Sequence, residues 1–340
     1  MTIYSPWAAT TQSSILSSSP MRKALSHIYG LVITVRNILY DARILRTLRT
    51  PPVVISIGNI EVGGTGKTPF AMALAEKLKQ RGYRCAIITR GYRGRLTGPL
   101  LVTARHLNKD VGDEALLMAR MSGVPVVKSP DRVAGAQFAS RELGCDIVIL
   151  DDGFQHRRIH RDLDIVLVSR DIEKGDLLPL GHLREPPSCL KRANYVISTK
   201  ENSTYPLQAH FELDCLVDLS GTTQNLSVLS GKKLLAFCGI ARPGNFLSEL
   251  KGLGAQVTSM VYADHHTYSS ADIERILEEA KDSDLIVTTE KDMVKIDPHL
   301  VSGVRDSFFA VRIGIRMDSM GILLKEIEDI VQDRRISRQG

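Results

Sequence analysis

Cysteine is sparse in this chain and badly placed for cross-linking. Its five cysteines, Cys85, Cys145, Cys189, Cys215 and Cys238, are odd in number, widely spaced and never form a CxxC pair. That pattern argues against a disulfide framework and a zinc site, and a reducing compartment fits better. Free thiols packed as small buried hydrophobes account for all five. No apolar run approaches the roughly 20 residues that a membrane-spanning helix needs. The first twenty residues, MTIYSPWAATTQSSILSSSP, lack a charged start followed by a long apolar stretch, which argues against a secretory signal. Their richness in Ser and Thr predicts a disordered leader over residues 1–21, with Met21 as an alternative start. Internal repeats are absent, and no segment past residue 20 is low in complexity.

What remains is the composition of an ordinary globular protein. The 340 residues suffice for one large or two modest domains. Hydrophobic residues at 43% and charged residues at 24% are enough for a packed core. The net charge of +6 suits an anionic partner, whether nucleotide, nucleic acid or acidic membrane surface, without choosing among them.

Residues 22–48 read as one helix. Leu25, Tyr29, Val32, Val35 and Leu39 recur at three- and four-residue steps, while Arg22, Lys23, Arg36, Arg43 and Arg46 add positive charge elsewhere. Such a helix suits a membrane interface or the protein's own core equally well. The chain then alternates. Apolar runs at 52–58, 85–91, 124–128, 146–152, 164–169 and 195–199 predict strands, and 68–81, 113–121 and 132–143 predict helices between them. Apolar strands alternating with helices predict an α/β fold with a mostly parallel sheet covered on both faces. From about residue 205 a second series begins, with strands in KLLAFCGI, QVTSMVYAD and DLIVTTEKD and helices over 245–253 and 271–280. The expected organisation is a helix and nucleotide-binding domain over 22–205 and a smaller α/β domain over 206–340, although the last helix could pack on either.

The stretch VISIGNIEVGGTGKTPF (54–70) carries the first chemistry. Gly66, Lys67 and Thr68 match the end of the phosphate-loop pattern GxxxxGK[ST], but Glu61 stands where its first glycine belongs. The pattern's physical content is a strand, a run of inward-turned amides, then a helix. Gly63, Gly64 and Gly66 let the backbone close on phosphates without side chains in the way. Lys67 is placed to reach the β- and γ-phosphates and Thr68 to coordinate Mg²⁺. The strand CDIVILDD ends in Asp151 and Asp152, and such enzymes need a carboxylate at a strand tip beside the loop to hold the metal.

Read together, GNIEVGGTGKTP (58–69), TRGYRG (89–94), VGDEALLMA (111–119), LDDGFQHR (150–157), LPLGHLREP (178–186), FCGIARPGNF (237–246), YADHHTYS (262–269) and TTEKDMVK (288–295) resemble the tetraacyldisaccharide 4′-kinase family. The displaced glycine is part of that family's loop. The resemblance covers about residues 30–330. It implies a P-loop NTPase-like kinase domain joined to a smaller α/β domain, with the active site in the cleft between them. It also implies ATP and Mg²⁺, and transfer of phosphate to the 4′-hydroxyl of the acylated disaccharide that precedes lipid A. Nucleotide contacts fall on Gly58, Gly63, Gly64, Thr65, Gly66, Lys67 and Thr68, and metal contacts on Thr68, Asp151 and Asp152. Asp113 is implied as the acceptor of the hydroxyl proton, with His265 orienting it; the adjacent His266 competes for that role. Arg90, Arg132 and Arg184 are implied contacts to phosphate or the anionic disaccharide. Gln155 and His156 receive no role. Glu290 and Lys291 read equally as a surface ion pair or as domain-bridging residues. The implied setting is peripheral, on the cytoplasmic face of a bacterial inner membrane, with residues 22–48 on its anionic surface and no nucleic acid among the partners.

Overall fold

Val53–Gly58 is apolar at almost every position and buried at every position, as a strand covered on both faces must be. This is β1 of an eight-stranded sheet with β2 (Cys85–Thr89), β3 (Leu100–Val102), β4 (Val126–Lys128), β5 (Ile147–Asp151), β6 (Leu163–Val168), β7 (Tyr195–Ser198) and β8 (Leu207–Gln208). The order is β3-β4-β2-β5-β1-β6-β7-β8, parallel throughout except for the edge strand β3. The computed structural model describes residues 20–339 apart from 104, 171, 173, 174, 201 and 202, so the expected leader lies almost wholly outside the described residues.

A second sheet holds β9 (His210–Asp218), β10 (Thr223–Asn225), β11 (Lys233–Cys238), β12 (Gln256–Val261), β13 (Leu285–Thr289) and β14 (Phe308–Arg316), in the order β10-β9-β14-β13-β11-β12. Its β14, β13, β11 and β12 are parallel; β9 and β10 run antiparallel to their neighbours. The chain leaves the first unit along β9 and comes back along β14, paired from His210↔Arg316 to Asp218↔Phe309.

The structure redraws the expected boundary near 205 in two places. β8 lies beyond it yet pairs with β7 of the first sheet. The final helix, Met320–Gln339, then rejoins the first unit, where Leu323, Leu324, Ile327 and Val331 pack in one cluster with Val53, Ile55 and Leu74. A helix's apolar stripe says that it is covered, not by which sheet, and residues 206–340 are therefore not one unit.

The first helix is also shorter than expected, Pro20–Asp41 instead of 22–48. Arg43 takes a positive φ of 58° just after it, and Leu48 then pairs beside Ile159. The helix is inverted relative to an ordinary soluble one. Its inward side, apart from the buried Ile33, is polar and hydrogen-bonded: Ser26 Oγ donates to the Leu177 carbonyl, Tyr29 Oη to the Arg184 carbonyl, and Arg36 pairs with the buried Glu185 at 2.9 Å. Its outward side exposes Met21, Leu25, Ile28, Leu31, Val32, Val35 and Ile38. Of the residues expected to share one apolar face, Tyr29 and Leu39 are half-buried.

Candidate active site

The carboxyl edges of both sheets supply the site, where ligands of open α/β sheets bind. β1 ends in Gly58, where a Cβ would come 2.5 Å from that of Phe154, so only glycine lets the two segments pack. Asn59 Nδ2 then bonds Thr65 Oγ1 at 3.1 Å and draws the loop closed. Gly66 sits at φ 81°, and Phe211 of β9 lies so close that a Cβ there would clash with its ring. By contrast a Cβ at Gly63 or Gly64 meets nothing within 4 Å, so these two border open space. No side chain caps the helix that follows, Lys67–Gln80. Its first amides are therefore available to an anion. Glu61, in the place of the missing glycine, is fully buried and accepts from the Ser169 amide, with Arg170 3.1 Å away. That position anchors the loop to the end of β6, which explains how it can carry a large side chain.

Ile57 pairs with Asp151, so the tip of β5 stands beside the loop. The two aspartates there meet different surroundings. Asp151 is buried; one of its oxygens accepts from Thr89 Oγ1 at 3.3 Å, and the other, Oδ1, has no hydrogen-bond partner. Burial, reinforced by Glu114 and Asp152, pushes its pKa up to about 7. Asp152, at φ 55°, turns the other way and takes Arg184 Nη1 on both oxygens at 3.1 and 3.0 Å, with Lys67 Nζ at 3.6 Å. Burial would raise its pKa, but Lys67 and Arg184 outweigh that and hold it below the usual carboxylate range.

All three expected anion contacts, Arg90, Arg132 and Arg184, line the cavity, but Arg132 commits its guanidinium mostly to the frame. It is 3% exposed and donates to the carbonyls of Ser129 and Asp151 at 2.6 and 3.1 Å. Gln155 Nε2 bonds the Asn59 carbonyl at 2.8 Å and so supports the loop. His156 is half-buried, and its desolvation, with Arg132 nearby, lowers its pKa to about 4.

Asp113 opens the helix Asp113–Met121 behind Gly112, whose φ of 93° permits the sharp entry. Its Oδ2 lies 3.4 Å from Nδ1 of His265, which comes from the second sheet and itself takes a positive φ of 62°. His266 faces elsewhere: it stacks on Tyr262 at 4.7 Å and bonds Asp272 at 3.2 Å. His265 is thus the histidine brought to Asp113. Lys291 Nζ approaches the ring's other nitrogen, Nε2, at 3.3 Å, and Glu290 pairs with Arg312 at 2.8 Å.

One cavity of about 1160 Å³ takes in Gly63–Thr68, Arg90, Asp151, Asp152 and Arg184 from the first unit and Phe211, Thr289, Glu290 and Lys291 from the second. Asp113 and His265 stand just behind its wall, reached through Glu114 and Lys291. Sequence reasoning missed Phe211 and Glu114. Strand alternation carries no hint of a ring laid on a glycine. Glu114 is the neighbour of Asp113 in VGDE, which was the only signal available for it.

The family model for tetraacyldisaccharide-1-P 4′-kinase, LpxK, matches residues 19–331. The tetraacyldisaccharide 4′-kinase of Syntrophus aciditrophicus is 38% identical over 314 residues, covering 81% of this chain and 84% of its own. That of Koribacter versatilis is 35% identical over 325 residues, covering 92% and 99%. Among solved structures, that of LpxK from Aquifex aeolicus in complex with ATP superposes with a TM-score of 0.80 at 34% identity, covering 93% of this chain and 99% of that one. The chain belongs to the tetraacyldisaccharide-1-P 4′-kinase family.

Proposed function

We propose that this chain transfers the γ-phosphate of ATP to the 4′-hydroxyl of a tetraacylated glucosamine disaccharide 1-phosphate, giving the 1,4′-bisphosphate. The observation that carries this reading is the shared cavity, in which a phosphate loop and a strand-tip carboxylate pair face residues of the second sheet. Phosphoryl transfer needs alignment and charge neutralisation more than covalent help. The amides of residues 63–68 and Lys67 hold the triphosphate, and Arg184 stands next to Asp152 to meet its charge. The hydroxyl oxygen forms the new bond to the γ-phosphorus as the bond to the bridging oxygen breaks and ADP leaves. Asp113 takes the hydroxyl proton, with His265 orienting it.

Among the described residues no group of three or more His, Cys, Asp or Glu could by itself hold a metal. Mg²⁺ in such sites completes its shell with phosphate oxygens and water. Asp151, with its unpartnered Oδ1, fits that task beside Thr68; Asp152, already held by Arg184, fits it less directly. When bound, Mg²⁺ would neutralise charge on the phosphate oxygens.

No helix among the described residues is long and apolar enough to cross a membrane. The outward apolar side of Pro20–Asp41, with Arg22 and Lys23 at its start, suits a helix lying in a bilayer interface, where the acceptor's acyl chains are found. The cytoplasmic face of the inner membrane supplies ATP to that position.

The test is incubation with labelled ATP and a panel of acceptors, the lipid disaccharide included, with products identified by mass spectrometry. Label at the 4′ position is the expected result. Efficient labelling of a soluble acceptor, with none on the lipid, would overturn the reading.

A further inference from the structure

His265 has two ring nitrogens with different neighbours, and the groups facing it settle which one carries hydrogen. Nδ1 faces Asp113 Oδ2 at 3.4 Å, and Nε2 faces Lys291 Nζ at 3.3 Å, with Asp264 Oδ2 at 4.0 Å. An ammonium only donates, so Nε2 must accept from Lys291. Neutral imidazole then carries its hydrogen on Nδ1, aimed at the Asp113 carboxylate.

Lys291 is not held there by chance contact. Its Nζ also pairs with Asp264 Oδ1 at 3.1 Å. It rides on the one-turn helix Glu290–Met293, capped by Thr289. In that turn Asp292 is fully buried, as is its partner Lys295 at 3.0 Å. The other oxygen of Asp292 accepts from the Thr289 hydroxyl at 2.8 Å and from the Gly239 amide at 2.9 Å. The Gly239 carbonyl in turn accepts from the His265 amide at 3.2 Å. One buried carboxylate therefore fixes both the turn that carries Lys291 and the loop that carries His265. Removing either member of such a pair strands a buried charge, so this frame is stiff.

We infer that Lys291 is a positioning residue that sets the tautomer of His265, so that the imidazole stays a neutral donor to Asp113. This rests on the phosphoryl-transfer reading above. The ring is faced by two carboxylates, Asp113 and Asp264, and one cation, Lys291. A second proton on the ring would sit beside the ammonium, at a cost. Without Lys291 the two carboxylates alone would face the ring, favouring imidazolium and tying Asp113 into an ion pair that weakens it as a base.

The experiment compares Lys291→Met, Lys291→Arg and wild type as full chains, in the wild-type and His265→Ala backgrounds. Lys291→Met is expected to lower kcat about tenfold, less than the ~10²–10⁴-fold of losing a general base. KM for ATP stays unchanged, the acid limb of the kcat profile moves to higher pH, and Lys291→Arg recovers most of the rate. With His265→Ala the same substitution should cost nothing further. An equal loss in that background, or an unmoved acid limb, would overturn the inference. Nitrogen NMR of labelled histidine decides the tautomer independently of turnover: a protonated Nε2 on His265 in the wild type sinks the inference, whichever acceptor the enzyme uses. If the wild type labels no lipid acceptor while Nδ1 carries the proton, the substrate reading fails and the positioning role stands.

Discussion

Asp151 and Asp152 are chemically identical neighbours that the fold drives apart. For one, the loss of water outweighs the pull of Lys67 and Arg132; the other is seized by Arg184 and Lys67. Because folding raises the pKa of Asp151 from 3.8 to about 7, the native state binds more protons than the unfolded state between those values. Stability from this group therefore falls as pH rises through that window. Asp151→Asn should raise the melting temperature over wild type more at pH 8 than at pH 5, measured in chelator without nucleotide. An equal gain at both would show that Asp151 is not the group titrating. His156, lowered to about 4, acts with the opposite sign, so only the difference between variant and wild type is informative. The two adjacent histidines make a second comparison. His265→Ala should slow turnover by roughly 10²-fold with little change in melting. His266→Ala, which loses stacking on Tyr262, should cost about 1 kcal/mol in stability and leave most turnover. Similar effects of both on turnover would count against the dyad. The choice between them was not legible in YADHH, since it turns on a positive φ at residue 265 and an aromatic cluster formed by Tyr262 and Tyr268. The aspartates and the loop glycines were legible because strand, loop and helix follow one another in sequence.

At the scale of elements, the apolar runs of β1, β2, β5 and β6 announced themselves, being buried on both faces. β3 and β8, of three and two residues, did not, because so short a run has no period to detect. The Pro20–Asp41 helix was recognisable as a helix, but its register was not. Which side faced the protein depended on partners about 150 residues away, such as Leu177 and Glu185. Leu31 and Val35 are 65% and 46% exposed on its outward side. Leu31→Asp combined with Val35→Asp should abolish co-sedimentation with anionic vesicles and leave the melting temperature almost unchanged, since neither side chain is buried in the protein. Undiminished vesicle binding would overturn the proposed role of this side of the helix.

At the scale of the molecule, the last helix closes the first unit after the chain has built the second. Ile327 is fully buried in the cluster it shares with β1. Ile327→Ala should cost about 2–5 kcal/mol by cavity formation, read from urea unfolding followed by a probe in the first unit. A loss confined to the second unit would contradict the packing described. This return was left open by sequence because an apolar stripe names no partner. The inward side of the first helix has a consequence of its own. Tyr29 grips the backbone of Arg184, and Arg36 grips the residue beside it, so the first helix is tied directly to the arginine that holds Asp152. If that helix lies in a bilayer as proposed, an enzyme stripped from it would lose more than proximity to its acceptor: slack in the helix would be transmitted, bond by bond, to the arginine beside Asp152.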